Sequence, residues 1–61
     1  MLSIILPTYN EKDSVVKTIN SIIEVMPKNQ RYEIIVSDDN SPDKTWEIVK
    51  KKFLKIRIFM L

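Results

Sequence analysis

The 61-residue sequence predicts an α/β fold in which three parallel strands alternate with two helices. Three observations predict it. Apolar residues fill successive positions in three short runs, as they do in parallel strands covered on both faces. Between the runs lie two segments with apolar residues at helical spacing, each long enough to be a crossover. The first two runs end in polar clusters, seen in "ILPTYNEKDS" from Ile5 and "VSDDNSPD" from Val36, that lead straight into those segments.

Leu2–Leu6 reads as the first strand, buried and continuous rather than alternating. Asn10 is a good N-cap for the helix that follows, and Asp13 three residues later resembles a capping box with Asp in place of Glu. Val15/Val16, Ile19, Ile22/Ile23 and Met26 then fall on one stripe. Pro27 ends that helix, because proline disfavours the α conformation of the residue before it. Glu33–Ser37, with Tyr32 leading in, is rich in β-branched residues and reads as the second strand. Ser41 looks like the next N-cap, with Pro42 at the first helical position and Asp43 in the first turn. Trp46, Val49 and Phe53 make the second stripe, flanked by Ile48. Ile56–Leu61 reads as the third strand. Trp46, Met26 and Met60 are core candidates.

Crossovers between parallel strands are right-handed in about 98% of cases. With the strands in the order 3-2-1, both helices therefore pack on one face. The strands are apolar enough to be buried on both, yet the sequence covers only one and leaves two edges open. Residues 1–61 thus read as an incomplete domain, or one whose second face something else covers. A chain of this size buries only about 60% of the surface its unfolded form exposes, so low stability or self-association is expected.

Composition removes several classes of chemistry. Cysteine and histidine are absent, which excludes disulfides, thiol catalysis and Cys/His zinc sites. The lack of cysteine fits a cytosolic setting. Glycine is absent too, which excludes G-x-G-x-x-G and P-loop phosphate cradles. Met1 leads into apolar sequence without a basic segment, so no secretory signal is expected, and no run approaches the length of a membrane span. The formal charge is +2, and much of the positive charge lies at Lys50, Lys51, Lys52, Lys55 and Arg57. Such a patch can face phosphates or anionic lipid; the plainer reading is the solvated end of a helix, where lysines suit the macrodipole. No nucleic-acid partner is expected.

Ligands of open parallel sheets sit in the crevice beyond the carboxyl ends of the strands. Both polar clusters lie on that edge. Tyr9 offers a ring face to a base, an aspartate can accept from a base N–H, Glu11 can accept from a ribose hydroxyl, and Pro7 fixes the backbone beneath the tyrosine. Plainer roles exist for some of these residues. Asn10 and Ser41 suffice as caps, Asp43 as a first-turn helix residue, and Tyr9 as an ordinary loop aromatic. Asp38 and Asp39 are harder to explain away, since adjacent carboxylates repel and a turn needs only one. One of the pair is expected at the ligand, the other bracing the loop by accepting backbone N–H bonds.

"SIILPTYNE" followed by "YEIIVSDDNSPDKTWEIV" resembles the amino-terminal end of the family 2 glycosyltransferases of GT-A fold, most of all their dolichyl-phosphate (polyprenyl-phosphate) mannosyltransferase branch. The resemblance implies a three-stranded βαβαβ half of a Rossmann-like nucleotide-diphospho-sugar transferase domain. It implies inverting transfer of a sugar, mannose from GDP-mannose, to a membrane-bound polyprenyl phosphate. The family's donor-binding residues carry over onto Pro7, Tyr9, Glu11, Val36 beside the base, and Asp38, which leaves Asp39 to brace the loop. The family's Mg²⁺ or Mn²⁺ is held by a D-x-D segment that does not occur in residues 1–61, and no catalytic or metal-binding residue is assigned within them. The implied setting is the cytosolic face of a membrane (endoplasmic reticulum or prokaryotic plasma membrane), with accessory membrane subunits as further partners. Lys44 departs from the pattern, since the family usually has glycine there. The competing reading is a noncatalytic α/β module that binds a partner through its uncovered sheet face. A phosphoacceptor receiver domain fits less well, because its acidic cluster follows the first strand and this one follows the second.

Overall fold

Three strands form one parallel sheet: β1 (Leu2–Thr8), β2 (Tyr32–Asp38) and β3 (Arg57–Met60), joined by α1 (Val15–Val25) and α2 (Thr45–Lys52). The structure is a computed structural model and describes residues 1–61. The strand order is β1-β2-β3, with β2 in the centre, so each crossover links neighbouring strands. Pairing is in register from Leu2↔Tyr32 to Thr8↔Asp38, and from Ile35↔Arg57 to Asp38↔Met60. Pro7 lacks a backbone donor and is accommodated because β1 is an edge strand.

Strand side chains alternate between faces, and only one face is covered. Ile34 and Val36 of β2 form the core with Val15 and Ile19 of α1 and Val49 of α2, and Ile4, Leu6 and Ile58 pack around them. A fully buried aliphatic side chain of this kind contributes about 1.5–3 kcal/mol relative to an exposed one. The opposite face carries Ile5 and Phe59, each 57% exposed, with Ile35 half-buried between their rows. The apolar continuity of the strands is therefore real, while the cover is one-sided.

Both helices start later than their sequence signals place them. Asn10 is not the cap of α1. It sits at φ 51 in the left-handed region, and a turn follows in which the N–H groups of Ser14 and Val15 donate to the Glu11 carbonyl at 3.0 and 2.7 Å. Ser41 does not cap α2, which begins only at Thr45, after Lys44 in a left-handed conformation (φ 58, ψ 45). The polar side chains that look like caps are engaged elsewhere, as described below. Two of the core candidates also move outward: Met60 is exposed, and Trp46 is half-buried in a groove beside β3 rather than in the core cluster. Met26 is half-buried and extended at the end of α1, as its place before Pro27 requires.

Candidate functional site

At the carboxyl ends of β1 and β2 a buried carboxylate joins the two strands. Thr8 lies opposite Asp38 in the register, and its hydroxyl donates to Asp38 Oδ1 at 2.6 Å. The Ser41 hydroxyl donates to the same oxygen at 2.7 Å, and the Ser41 N–H donates to Oδ2 at 2.8 Å. Asp38 has no exposed surface. Burial pushes its carboxyl up, but the Ser41 backbone, Thr8 and Ser41 side-chain bonds together outweigh that and hold it below the ordinary carboxylate value.

From this point the two loops are fastened to each other. Three consecutive amides of the first loop donate to side chains of the second: Asn10 N–H to Ser41 Oγ at 3.0 Å, Glu11 N–H to Thr45 Oγ1 at 2.9 Å, and Lys12 N–H to Asp43 Oδ2 at 3.1 Å. The Asp43 N–H returns a longer bond, 3.4 Å, to Asn10 Oδ1. Asp43 also accepts from the Thr45 N–H and hydroxyl at 3.0 and 2.5 Å, just ahead of α2. The Thr45 hydroxyl is the main cause of a lowered Asp43 carboxyl; burial opposes it, and the Lys12 and Thr45 amides and the Lys12 charge add to the lowering. No buried polar side-chain atom lacks a partner. These bonds join the loops into one rim.

On that rim, Pro7, Thr8, Tyr9, Glu11, Ser37, Asp39 and Leu61 line an open cleft of ≈ 380 Å³. Its size lies at the lower end of small-molecule sites. Tyr9 is 53% exposed, and its N–H donates to Glu11 Oε1 at 3.2 Å, which steadies the carboxylate beside the ring. The Asp39 N–H is tied to the Thr8 carbonyl at 3.0 Å, while its carboxylate stands free. Pro7, Tyr9 and Glu11 thus come together as the sequence places them.

Val36 and Asp38 do not line the cleft. Val36 is fully buried in the core, because even-numbered positions of β2 face the helices; the neighbouring Ser37 is the one that reaches the cleft. Asp38 is the brace and Asp39 the open carboxylate, the reverse of the roles implied by resemblance. Lys44 is likewise not a helix residue but a left-handed hinge ahead of α2. Thr8 and Thr45, two buried hydroxyls that carry the loop fastening, went unremarked in the sequence. The available signal was Thr8 itself, a donor at the end of one strand where a carboxylate ends the next.

Residues 1–61 bring together no group of three or more acidic side chains that could hold a metal ion. Asp38 already accepts three bonds, and Glu11 and Asp39 are two carboxylates on an open rim. They do not amount to a site for Mg²⁺ or Mn²⁺. No helix is long and apolar enough to cross a membrane.

The sequence matches the family model described as glycosyl transferase family 2 over residues 3–61. Similar relatives include an uncharacterised glycosyltransferase of Mycoplasma genitalium, 42% identical over 82% of this chain and 17% of that protein. A dolichol-phosphate mannosyltransferase of Pyrococcus furiosus is 44% identical over 75% of this chain and 13% of its own length. An Escherichia coli enzyme, UDP-Glc:alpha-D-GlcNAc-diphosphoundecaprenol beta-1,3-glucosyltransferase WfaP, is 43% identical over 84% of this chain and 20% of its own. The chain spans a fifth or less of these relatives. No solved structure matches it.

Proposed function

The chain belongs to glycosyl transferase family 2, and on that premise we propose that residues 1–61 are the nucleotide-binding portion of an incomplete transferase domain, which moves a sugar from a nucleotide donor to a polyprenyl-phosphate acceptor. One observation carries the reading: two loops that follow adjacent parallel strands are fastened by their own polar side chains, leaving an aromatic ring and two carboxylates open on a shared rim. A base stacks on Tyr9, Glu11 accepts from a ribose hydroxyl, and Asp39 accepts from a base N–H. Pro7 holds the backbone under the ring. Asp38 acts indirectly, as the brace that fastens the two loops, and Val36 belongs to the core on the other face of the sheet.

The donor is GDP-mannose and the acceptor a polyprenyl phosphate at the cytosolic face of a membrane, where accessory membrane subunits would also meet the enzyme. Support comes from the "NSPDKTWE" resemblance and from relatives named for dolichol-phosphate and diphosphoundecaprenol substrates. The lining of the cleft offers no cation to a diphosphate, so this portion holds base and ribose. The family's Mg²⁺ or Mn²⁺ would be bound by residues outside 1–61, and the portion alone would not turn over substrate.

Calorimetric titration with GDP, UDP and mannose 1-phosphate tests the reading. GDP alone is expected to bind, and Tyr9→Ala and Asp39→Asn to weaken it about ten-fold or more, an effect of at least one lost contact of about 1.4 kcal/mol. Asp39→Asn should melt like the parent. Asp38→Asn should lose about 1.5–3 kcal/mol of stability, the worth of a hydrogen bond to a charged group. Equal, negligible heats for all three ligands would favour the second reading, a binding module acting through the exposed Ile5 and Phe59 face.

A further inference from the structure

The hydroxyls around the rim divide into those spent on the chain and one that is not. Thr8, Ser41 and Thr45 give their protons to Asp38 and Asp43. The half-buried Ser37 hydroxyl takes part in no hydrogen bond of the chain. Every buried polar side-chain atom has a partner, so the Ser37 oxygen, which has none, lies open. The residue lines the cleft together with Tyr9, Glu11 and Asp39.

Strand building does not account for a serine at this position. Ser37 is on the central strand, paired with Pro7 on one side and Phe59 on the other, and Ile35 precedes it on the same face. Among such neighbours a β-branched apolar side chain would pack better.

Donors are scarce in the cleft. Pro7 and Leu61 have no polar side-chain atom, ionised Glu11 and Asp39 only accept, and the Thr8 proton is committed to Asp38. A Tyr9 ring stacked on a base holds its phenol in a parallel plane, away from the edge of the base. Ser37 is therefore the side chain of the lining free to donate to that edge. Guanine presents an acceptor, O6, beside two donors, N1–H and N2–H. Asp39 takes both donors, one on each oxygen, and Ser37 meets O6. With uracil the second carboxylate oxygen faces a carbonyl, and with adenine it faces bare N1, acceptor against acceptor in each case.

We infer that Ser37 is a specificity-determining residue of the nucleotide site, its hydroxyl donating to guanine O6 while Asp39 accepts from N1–H and N2–H. This role rests on the nucleotide reading above and adds to it the group that chooses the base.

Calorimetric titration of the 61-residue chain with GDP and with 6-thioguanosine diphosphate, whose sulfur is a weak acceptor, provides the test. GDP is expected to bind about three- to ten-fold more tightly, the worth of one hydrogen bond between neutral groups. Ser37→Ala should weaken GDP by about the same factor and bind the two ligands alike. Ser37→Thr, which keeps the hydroxyl, should still prefer GDP. Inosine diphosphate, which keeps O6 but lacks the 2-amino group, should bind the parent more weakly than GDP and be weakened further by Ser37→Ala. A serine that only shapes the strand would shift both guanine ligands equally, so a GDP preference that survives in Ser37→Ala would overturn the assignment. A parent that binds GDP and its thio analogue alike would overturn it too, and that comparison uses no substitution that could disturb folding. Either result leaves the GDP site standing. No heat from GDP with the parent would remove the site itself, and the role of Ser37 with it.

Discussion

Lys44 shows how much one backbone conformation can demand. It occupies φ 58, ψ 45 between the second loop and α2, and its N–H closes a turn onto the Ser41 carbonyl at 3.0 Å. A residue with a Cβ incurs roughly 1–2 kcal/mol in this region, whereas glycine enters it freely. Glycine also loses more entropy on folding, which returns about 0.4–1 kcal/mol of the gain. Lys44→Gly should therefore stabilise the chain by about 0.5–1 kcal/mol. A higher urea midpoint at unchanged slope is the expected sign, and Lys44→Ala should not reproduce it. Asn10 and Asn40, at φ 51 and 50, take the same region with the residue type that tolerates it best after glycine. Their identity as turn residues was visible in the sequence. The sign of φ was not, because an asparagine before a helical stripe is also what an N-cap looks like.

Among the elements, strands and helices were legible and the joins between them were not. Strand positions followed from apolar runs and helix positions from apolar spacing, both properties of the chain near each residue. Where α1 and α2 begin depends on bonds between residues about thirty apart, such as Asn10 to Ser41 and Glu11 to Thr45. Thr45 is the sharpest case. It is fully buried, accepts from Glu11 and donates to Asp43, so one hydroxyl connects both loops to the start of α2. Thr45→Val keeps the shape but leaves the Glu11 N–H without an acceptor. A loss of about 1–3 kcal/mol is expected from that unsatisfied donor. Faster hydrogen exchange at the Glu11 amide, with exchange in the centre of β2 slowed or quickened only by the change in global stability, would localise the damage.

For the whole molecule, stability rests on a one-sided core and on two depressed carboxylates. Asp38 and Asp43 both lie below their ordinary value of 3.8 in the folded chain. A carboxylate whose folded pKa is depressed favours folding when ionised. That contribution is complete above the unfolded value and is lost as pH falls through the folded one. With no histidine in the sequence, melting temperature should stay level between about pH 5 and pH 7 and decline below about pH 4. Asp38→Asn should flatten part of that decline; a variant as acid-sensitive as the parent would remove Asp38 from the account. The exposed Ile5 and Phe59 mark the other whole-molecule feature, a sheet face with no layer over it.

By itself the sequence determined the order of elements, the parallel sheet, the bare second face and the edge on which Pro7, Tyr9 and Glu11 meet. These follow from periodicity and from the rule that crossovers return to the same end of a sheet, so local patterns suffice. Only the tertiary structure decided which of two adjacent aspartates is enclosed, that Val36 turns inward, and that apparent caps reach across to another loop. A strand alternates its side chains, and which parity faces the helices is settled by packing against residues far along the chain. Hydrogen-bonding groups, likewise, take whichever partner the assembled fold brings within reach.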